Sequence, residues 1–391
     1  MVAYVASCRP TIPWSRELTP TFCDTTYHES GYIKLPHKAN DQYFYWYFES
    51  RSNPTDDPSY YGNSTQFNAH SWTNHANMIW LDQRTGVGFS FSGGRDDDHI
   101  EVDVGRNVYE FLLGFFQAHP KLQAKPFYIA GQSYGGHYVP AVAAYILQTQ
   151  DANTTAFRIN LQGITIGNGL TDTVTQYPLL VNMVVENSYN ITLVSCGPMS
   201  TAQPDSGVLD TYDYWDANLC EPMITNPTRN PYDFRQLCEP DVYDDLGVVK
   251  TTLFLNQPWV QQQLHVHKPY AMSNATVLED FAVDEERNAV HFVASILARG
   301  LRELIYAGDA DLICDWKGND AWTRKLQWSG HDGFNAANVT PFVVNGNVAG
   351  TVQAANELAF VRVFNSGHCV PRDQPAVSAA LINRFLQNET L

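Results

Sequence analysis

The sequence has no apolar run close to the ~20 residues that a membrane-spanning helix requires. Basic residues are few, 24 against 41 acidic ones, so the formal net charge is −17. This excess of negative charge disfavours binding to nucleic acid or to an anionic membrane surface. No CxxC pair is present, which argues against a structural zinc site. Repeats and low-complexity segments are also missing, so we expect a globular protein with no membrane span.

The first residues lack the apolar core of a signal peptide, because residues 1–14 include one arginine and two prolines. The chain is therefore either cytosolic or preceded by residues that this sequence does not contain. Cys196, Cys220 and Cys238 lie in a loop-rich stretch where disulfides are expected, with buried thiols as the alternative. Sequons for N-glycosylation give weak further support for secretion, and they begin at Asn63, Asn153, Asn190, Asn274, Asn338 and Asn388.

Strand and helix patterns alternate over most of the chain. Short aromatic or aliphatic runs predict strands at 43–48, 77–82, 126–131 and 161–169, and helical spacing predicts helices at 101–118 and 375–387. Residues 175–285 have weak periodicity and many Asp, Asn, Pro and Tyr, so we interpret them as an inserted cap. Residues 1–174 and 286–391 would then form one α/β core, a mostly parallel sheet with helices on both faces.

A nucleophile motif lies at the junction between a predicted strand and a predicted helix. Gly131-Gln132-Ser133-Tyr134-Gly135 matches G-x-S-x-G, in which the serine occupies a sharp, strained turn. Side chains at the two flanking glycines would collide with the turn. The turn also places the serine at a helix N-terminus, where backbone N–H groups can bind an oxyanion. We therefore predict that Ser133 is a nucleophile.

A serine hydroxyl needs a base, and the base needs a carboxylate that orients it. His368 follows a predicted strand near the C-terminal end, and in this class of fold the order is serine, acid, histidine. His137 is the rival base, although it lies one helical turn beyond the serine. Asp309 and Asp311 are both candidates for the acid, and one of them would then cap a loop.

The motif string GQSYGGHYVP, at 131–140, resembles the signature of the serine carboxypeptidase family. Further segments resemble the same family in the same order, and they lie at 30–35, 44–58, 77–92, 166–172, 304–322 and 360–375. The resemblance implies an α/β-hydrolase fold and a catalytic triad of Ser133, Asp311 and His368. It implies release of C-terminal residues from peptides that carry a free carboxylate, through an acyl-enzyme, without a cofactor or a metal. It also implies a vacuolar, lysosomal or extracellular location.

The resemblance also assigns a binding pocket. The backbone N–H of Tyr134 would be one oxyanion donor, and the substrate would contact Gln132, Tyr134, Ile313, Cys314 and Cys369. Cys369 stands where methionine is common in the family, and its thiol would be close enough to Cys314 for the two to pair.

Three departures from the family pattern bear on activity. The family's third strand ends in an N-G-G-P-G-C-S-S-like loop that supplies the second oxyanion donor, and no N-G-G-P-G occurs in this chain. The segment would follow Pro58, and its loss would let the next strand close directly on 126–131. Gln132 replaces a glutamate and Arg84 replaces a proline. The alternatives to a carboxypeptidase are therefore an inactive homologue with a binding role and a related acyltransferase.

Overall fold

The computed structural model describes residues 2–5, 26–51, 60–61, 64–65, 68–93, 98–152, 157–191, 229–230, 232–237, 248–285 and 287–391. The strands are β1 Val2–Val5, β2 His28–Lys34, β3 Gln42–Phe48, β4 Tyr60–Tyr61, β5 Ser64–Thr65, β6 Met78–Leu81, β7 Phe127–Ser133, β8 Leu161–Gly169, β9 Arg229–Asn230, β10 Asp233–Leu237, β11 Arg302–Gly308, β12 Thr340–Val344, β13 Asn347–Ala355 and β14 Leu358–Val363.

The helices are α1 Glu101–Ala118, α2 Pro120–Gln123, α3 Gly135–Ala152, α4 Thr173–Val185, α5 Val248–Leu255, α6 Pro258–Gln263, α7 Ala275–Glu285, α8 Val290–Leu297, α9 Trp316–Lys325, α10 His331–Ala336, α11 Val370–Asp373 and α12 Pro375–Gln387. A short 3-10 helix spans Trp72–Asn74. The helices predicted at 101–118 and 375–387 and the strand predicted at 161–169 are confirmed residue for residue. Within the described part of the chain, no helix is long and apolar enough to cross a membrane.

Ten strands form the main sheet in the order β12-β13-β14-β11-β8-β7-β1-β6-β3-β2. The six strands from β14 to β6 pair in parallel, while antiparallel pairs close both edges. Because the central strands are parallel, their carboxyl ends meet at one edge of the sheet. The segments that follow β7, β8, β11 and β14 therefore converge there. The predicted α/β architecture is confirmed.

The two faces of the sheet are covered by different helices, as expected for strands that read as continuous apolar runs. Ile129 of β7 packs in one hydrophobic cluster with Val108 of α1 and Val142 of α3. Its neighbour Tyr128 points to the other face, in a cluster with Leu381 of α12. Alternation along β7 thus fixes α3 on one side of the sheet and α12 on the other.

The centre of the sheet differs from the arrangement expected from the missing third strand. The missing segment left two possibilities, unpaired backbone groups or direct closure of β6 on β7, and neither is found at this place in the described sheet. Val2–Val5 lies between them, with Ala3 opposite Ile79 of β6 and Ile129 of β7. A strand in the middle of a sheet has two rows of backbone N–H and C=O groups to satisfy, and β1 pairs with both neighbours. The first residues of this chain therefore occupy the position between β6 and β7.

The described part of the predicted cap contains the hairpin β9–β10 and helices α5 to α7. Its predicted start falls inside α4, which begins at Thr173. The division into core and cap stays a prediction. Cys8, Cys23, Cys196, Cys220 and Cys238 lie outside the described residues, and so do the disulfides expected there.

A buried pair of acids joins the core to helix α7. The carboxyl group of Glu101, at the start of α1, lies near that of Asp284 of α7, and both side chains are buried. Burial raises the pKa of Glu101 well above its usual value, and the neighbouring charge of Asp284 raises this pKa further, while Arg84 lowers it. Arg84 also lies 3.4 Å from Asp280 of α7. Two facing carboxyl groups need a proton between them, so the folded chain holds that proton on Glu101.

We predict that substituting Tyr4 with proline destabilises the fold. Tyr4 pairs with Trp80 on one side and Ala130 on the other. Proline removes a ladder donor in the middle of the sheet and leaves a buried carbonyl unpaired, at a cost of about 2 kcal/mol or more. Thermal unfolding followed by circular dichroism measures the effect. The control is Val343→Pro in the edge strand β12, and an equal loss in both variants would contradict the central position of β1.

We predict that Glu101→Gln flattens the dependence of stability on pH. An unfolded glutamate releases its proton near pH ~4.3 whereas folded Glu101 retains it, so its stabilisation is complete below that pH and is lost as the pH rises. The side-chain N–H of glutamine can donate to Asp284 at any pH, so this contact no longer needs a titratable proton. Unfolding temperatures between about pH 5 and pH 8 should fall less in the variant than in the wild type. The exposed Asp332→Asn is the control, and parallel curves for Glu101→Gln and the wild type would refute the shared proton.

Candidate active site

Ser133 is the last residue of β7 and has a left-handed backbone, with φ of 58°. Such a conformation is costly for a non-glycine residue, and it is the conformation of a nucleophile at a strand-to-helix turn. Gly131 permits the turn, since a Cβ there would lie 2.5 Å from Cγ2 of Val139 and 3.1 Å from Cα of Gly135. Helix α3 begins at Gly135, which places the N–H of Tyr134 at its N-terminal end.

The second steric requirement lies one residue later than predicted. A Cβ at Gly135 would approach Val139 to only 4.0 Å, which is ordinary contact, so the predicted collision at Gly135 was wrong. At Gly136 a Cβ would lie 2.3 Å from the carbonyl oxygen of Leu170. Gly136 therefore lets α3 approach the segment that follows β8.

Asp311 and His368 form a buried hydrogen-bonded pair at the carboxyl edge of the sheet. Asp311 follows β11, His368 follows β14, and they are 0% and 4% exposed. Nδ1 of His368 lies 2.8 Å from Oδ2 of Asp311. Two donors complete the carboxylate: the side-chain amide of Asn168 reaches Oδ2 at 2.8 Å, and the N–H of Ile313 reaches Oδ1 at 3.1 Å. This arrangement fixes the ring through Nδ1 and leaves Nε2 as the position for proton transfer.

Gln132 connects the nucleophile turn to the segment that carries the histidine. Its side-chain amide donates to the carbonyl oxygen of His368 at 2.9 Å and lies 3.3 Å from Sγ of Cys369. Residues next to Ser133 and residues next to His368 are therefore in direct contact. Binding a substrate carboxylate through this amide, as the family resemblance implies for Gln132, would require it to exchange these partners.

The two rival residues have other contacts. The ring nitrogens of His137 lie 2.6 Å from the carbonyl oxygen of Leu170 and 2.8 Å from that of Arg287, so both face the backbone. Burial lowers the pKa of His137. Asp309 accepts hydrogen bonds from Arg362 at 3.1 Å and from the N–H of Asn365 at 3.0 Å. Asp309 thus holds the segment before His368, as the alternative of a loop-capping aspartate predicts.

The residues assigned to the pocket fall into two groups. Tyr134, Ile313 and Cys314 pack in one hydrophobic cluster with Leu170 and Tyr177. Cys369 instead contacts Gln132.

The thiols of Cys314 and Cys369 are not joined, so the disulfide that their predicted proximity would allow is not formed. Burial raises the pKa of the Cys369 thiol, which keeps it protonated at neutral pH. Ligand atoms of Asp311, Cys314 and His368 lie within 4.8 Å of one another. The first and last of these already make a hydrogen bond to each other.

Asn168 is a site residue that the sequence analysis did not identify. It has a left-handed backbone, with φ of 43°, at the end of β8. Its amide reaches both Asp311 and, at 3.5 Å, the carbonyl oxygen of Gly367. The signal was present, because Asn168 lies in IGNGLTD, a segment that resembles the family. Locally, the feature that points to a site role for Asn168 is that it is a polar residue at the end of a buried strand.

A mostly parallel sheet, a serine in a strained turn between β7 and α3, and an acid and a histidine after later strands define an α/β-hydrolase. The serine carboxypeptidase family profile matches residues 20–61 and 59–388, and the chain belongs to this family. Serine carboxypeptidase-like 49 from Arabidopsis thaliana is 32% identical over 95% of this chain and 79% of the relative. Carboxypeptidase Y homolog A from Coccidioides posadasii is 37% identical over 92% of this chain and 74% of the relative.

Further comparisons agree. Carboxypeptidase Y from Komagataella phaffii is 35% identical over 94% of this chain and 77% of the relative. A prohormone-processing carboxypeptidase from Saccharomyces cerevisiae shares the fold, with a TM-score of 0.78 and 20% identity over 93% of this chain and 91% of that one. The two stretches that match the family meet at residues 59–61, where the sequence analysis places the missing segment. The curated relatives thus support the family, the solved structure supports the fold, and the break between the two matched stretches supports the gap.

We predict that Asn168→Ala slows the reaction of Ser133 with an organophosphonate by about tenfold. The substitution removes a charge-assisted hydrogen bond to Asp311, worth about 1.5 kcal/mol or more, so the carboxylate no longer holds the His368 ring in place. Labelling rates from intact-protein mass spectrometry give the result. Asn160→Ala, which removes an exposed amide bonded to Ala124, is the control. Equal rates for Asn168→Ala and the wild type would show that Asn168 does not orient the acid.

Proposed function

We propose that this chain acts as a serine-type carboxypeptidase, releasing C-terminal residues from peptides through an acyl-enzyme. The observation that carries the proposal is the buried 2.8 Å hydrogen bond between His368 and Asp311 at the sheet edge where Ser133 ends β7. In this reaction Oγ of Ser133 attacks the last peptide carbonyl while Nε2 of His368 takes the hydroxyl proton. Asp311 stabilises the imidazolium that forms.

The second half of the reaction returns the site to its starting state. His368 gives the proton to the departing amine, and the C-terminal residue leaves. Water, deprotonated by His368, then attacks the ester on Ser133 and releases the shortened peptide. The N–H of Tyr134, at the start of α3, donates to the oxyanion in both steps. Tyr134, Ile313 and Cys314, which share one apolar cluster, would form the wall that contacts the penultimate side chain.

The substrate is a peptide with a free carboxylate, as in the family, and we propose that this chain binds it less well than its relatives do. The N-G-G-P-G loop that would hold the carboxylate and supply the second oxyanion donor is missing. Loss of one such donor lowers the rate by about 100- to 1,000-fold. The Gln132 amide is already bonded to residues 368 and 369.

The same loss favours a second candidate function, that of an inactive homologue with a binding role. The complete hydrogen-bond shell of Asp311 opposes it, since a protein without catalysis has no need to orient His368. An acyltransferase would use the same three residues with an alcohol in place of water. Reaction rates with ester and peptide donors, measured in the presence of an added alcohol, distinguish the carboxypeptidase from the acyltransferase.

We further propose a glycosylated protein of the secretory pathway, vacuolar, lysosomal or extracellular. The sequons at Asn190, Asn338 and Asn388 are exposed, as glycosylation requires. The family resemblance and the cysteine-bearing stretch at 196–238 point in the same direction.

We predict that this chain cleaves a blocked dipeptide about 100-fold or more slowly than a variant with a restored oxyanion loop. The restored variant carries a family-like strand ending in N-G-G-P-G after Pro58 and lacks residues 1–5, because β1 occupies that place in the sheet. A second variant keeps residues 1–5 and tests whether β1 blocks the inserted strand.

Initial rates of peptide cleavage are the measurement, with Ser133→Ala as the background. Rates for the wild type equal to those of the restored variant would show that another group completes the oxyanion site. A restored variant that neither labels with organophosphonate nor releases an amino acid would favour the binding role.

A further inference from the structure

We propose that the hairpin formed by β9 and β10 positions the acid and the base relative to each other, with Tyr232 and Asp233 as positioning residues. This inference rests on the proposed function. The hairpin, at 229–230 and 232–237, belongs to the predicted cap, far in sequence from both members of the pair. Sequence patterns assigned it no role, because the stretch has weak periodicity.

Two backbone hydrogen bonds tie the hairpin to the acid and base segments. The N–H of His368 donates to the carbonyl oxygen of Tyr232 at 2.7 Å. The N–H of Phe234 donates to the carbonyl oxygen of Ala310, next to Asp311, at 3.1 Å. Three consecutive residues of the hairpin thus span the segments after β11 and β14. A shift of the hairpin would change the separation of Asp311 and His368 directly.

Close packing makes this connection rigid. A Cβ at Gly367 would lie 2.2 Å from the carbonyl oxygen of Tyr232 and 2.8 Å from Cβ of Asp233, so the backbone touches the hairpin next to the histidine. The ring of Tyr232 packs on the imidazole of His368, with centroids 5.2 Å apart. Phe234 is fully buried in a cluster with Ala310 and Leu312.

The hairpin holds its own shape through Asp233. Its carboxylate accepts hydrogen bonds from Nε and Nη2 of Arg235, both at 2.7 Å, and from the side chain of Gln236 at 2.8 Å. Asp233 is itself 5% exposed. Oδ1 of Asn230 accepts from the N–H of Tyr232 at 2.9 Å, which fixes the turn from the other side. These contacts keep the Tyr232 carbonyl pointed at the base segment.

The acid and base segments also contact each other directly, since the N–H of Ala310 donates to the carbonyl oxygen of Ser366 at 2.8 Å. The hairpin supports this contact from outside. Weakening the hairpin should therefore loosen the orientation of His368 while the reacting groups of Ser133, Asp311 and His368 all remain. Such a change lowers kcat more than it raises KM.

The test compares Tyr232→Ala, Asp233→Asn and Tyr232→Phe with the wild type. The low-field NMR resonance of the Nδ1 proton of His368, assigned by its loss in His368→Ala, reports the bond to Asp311 without any substrate. We expect Tyr232→Ala and Asp233→Asn to broaden or lose this resonance and to slow organophosphonate labelling of Ser133 by about tenfold. Tyr232→Phe keeps the ring and the backbone and should retain both signals.

Asp320→Asn is the matched control, because it breaks a 2.7 Å ion pair with Arg324 on α9. Unfolding temperatures are recorded for every variant, and Tyr232→Leu replaces Tyr232→Ala if the latter does not fold. If Tyr232→Ala and Asp233→Asn leave both the resonance and the labelling rate unchanged, the proposal is overturned, whatever the two substitutions do to the stability of the protein. Failure of the proposed function would give a different result. A wild type that cleaves no peptide would still show the Nδ1 resonance of His368, so the effect of the hairpin variants on that resonance could still be measured.

Discussion

Pairing of β1 with both β6 and β7 is the constraint on which the rest of the structure depends. Without a strand between them, the central ladder would have either unpaired backbone groups or a direct closure that shifts the flanking helices. Val2–Val5 supplies that strand in parallel register, so β6 and β7 keep the separation that one intervening strand gives. The carboxyl ends of β7, β8, β11 and β14 then meet at one edge.

Convergence at that edge accounts for the site. Ser133, Asn168, Asp311 and His368 each follow or end a different parallel strand, and no two of them are neighbours in sequence. The buried carboxylate of Asp311 is expensive unless its oxygens receive hydrogen bonds. His368, Asn168 and the N–H of Ile313 provide them. The hydrogen bonds that the Asp311 carboxylate accepts thus hold together the three segments that follow β8, β11 and β14.

The sequence offers two aspartates for the acid and two histidines for the base, and only their positions in the fold distinguish residues of the same type. Asp309 and Asp311 are two residues apart, but Asp309 is bonded to Arg362 and Asn365 while Asp311 reaches the imidazole. Close neighbours on an irregular segment can point in opposite directions, and no composition or period records which. His137 is similarly excluded by carbonyl oxygens from residues 170 and 287, which are distant in sequence.

The sequence by itself determined individual strands and helices and the features that short motifs carry. The strand near 126–131 that leads into a turn and a helix, the helices at 101–118 and 375–387, the mostly parallel sheet and the family followed from periodicity, strand-to-helix order and residue strings. Tertiary structure decided the place of Val2–Val5 in the sheet, the separate thiols of Cys314 and Cys369, the part of Asn168 and the contacts of the hairpin with residues 310 and 368. These depend on register and packing between segments far apart in the chain. The residue pattern of a single sequence does not specify such pairing, because many partners satisfy the same hydrogen-bonding and burial requirements.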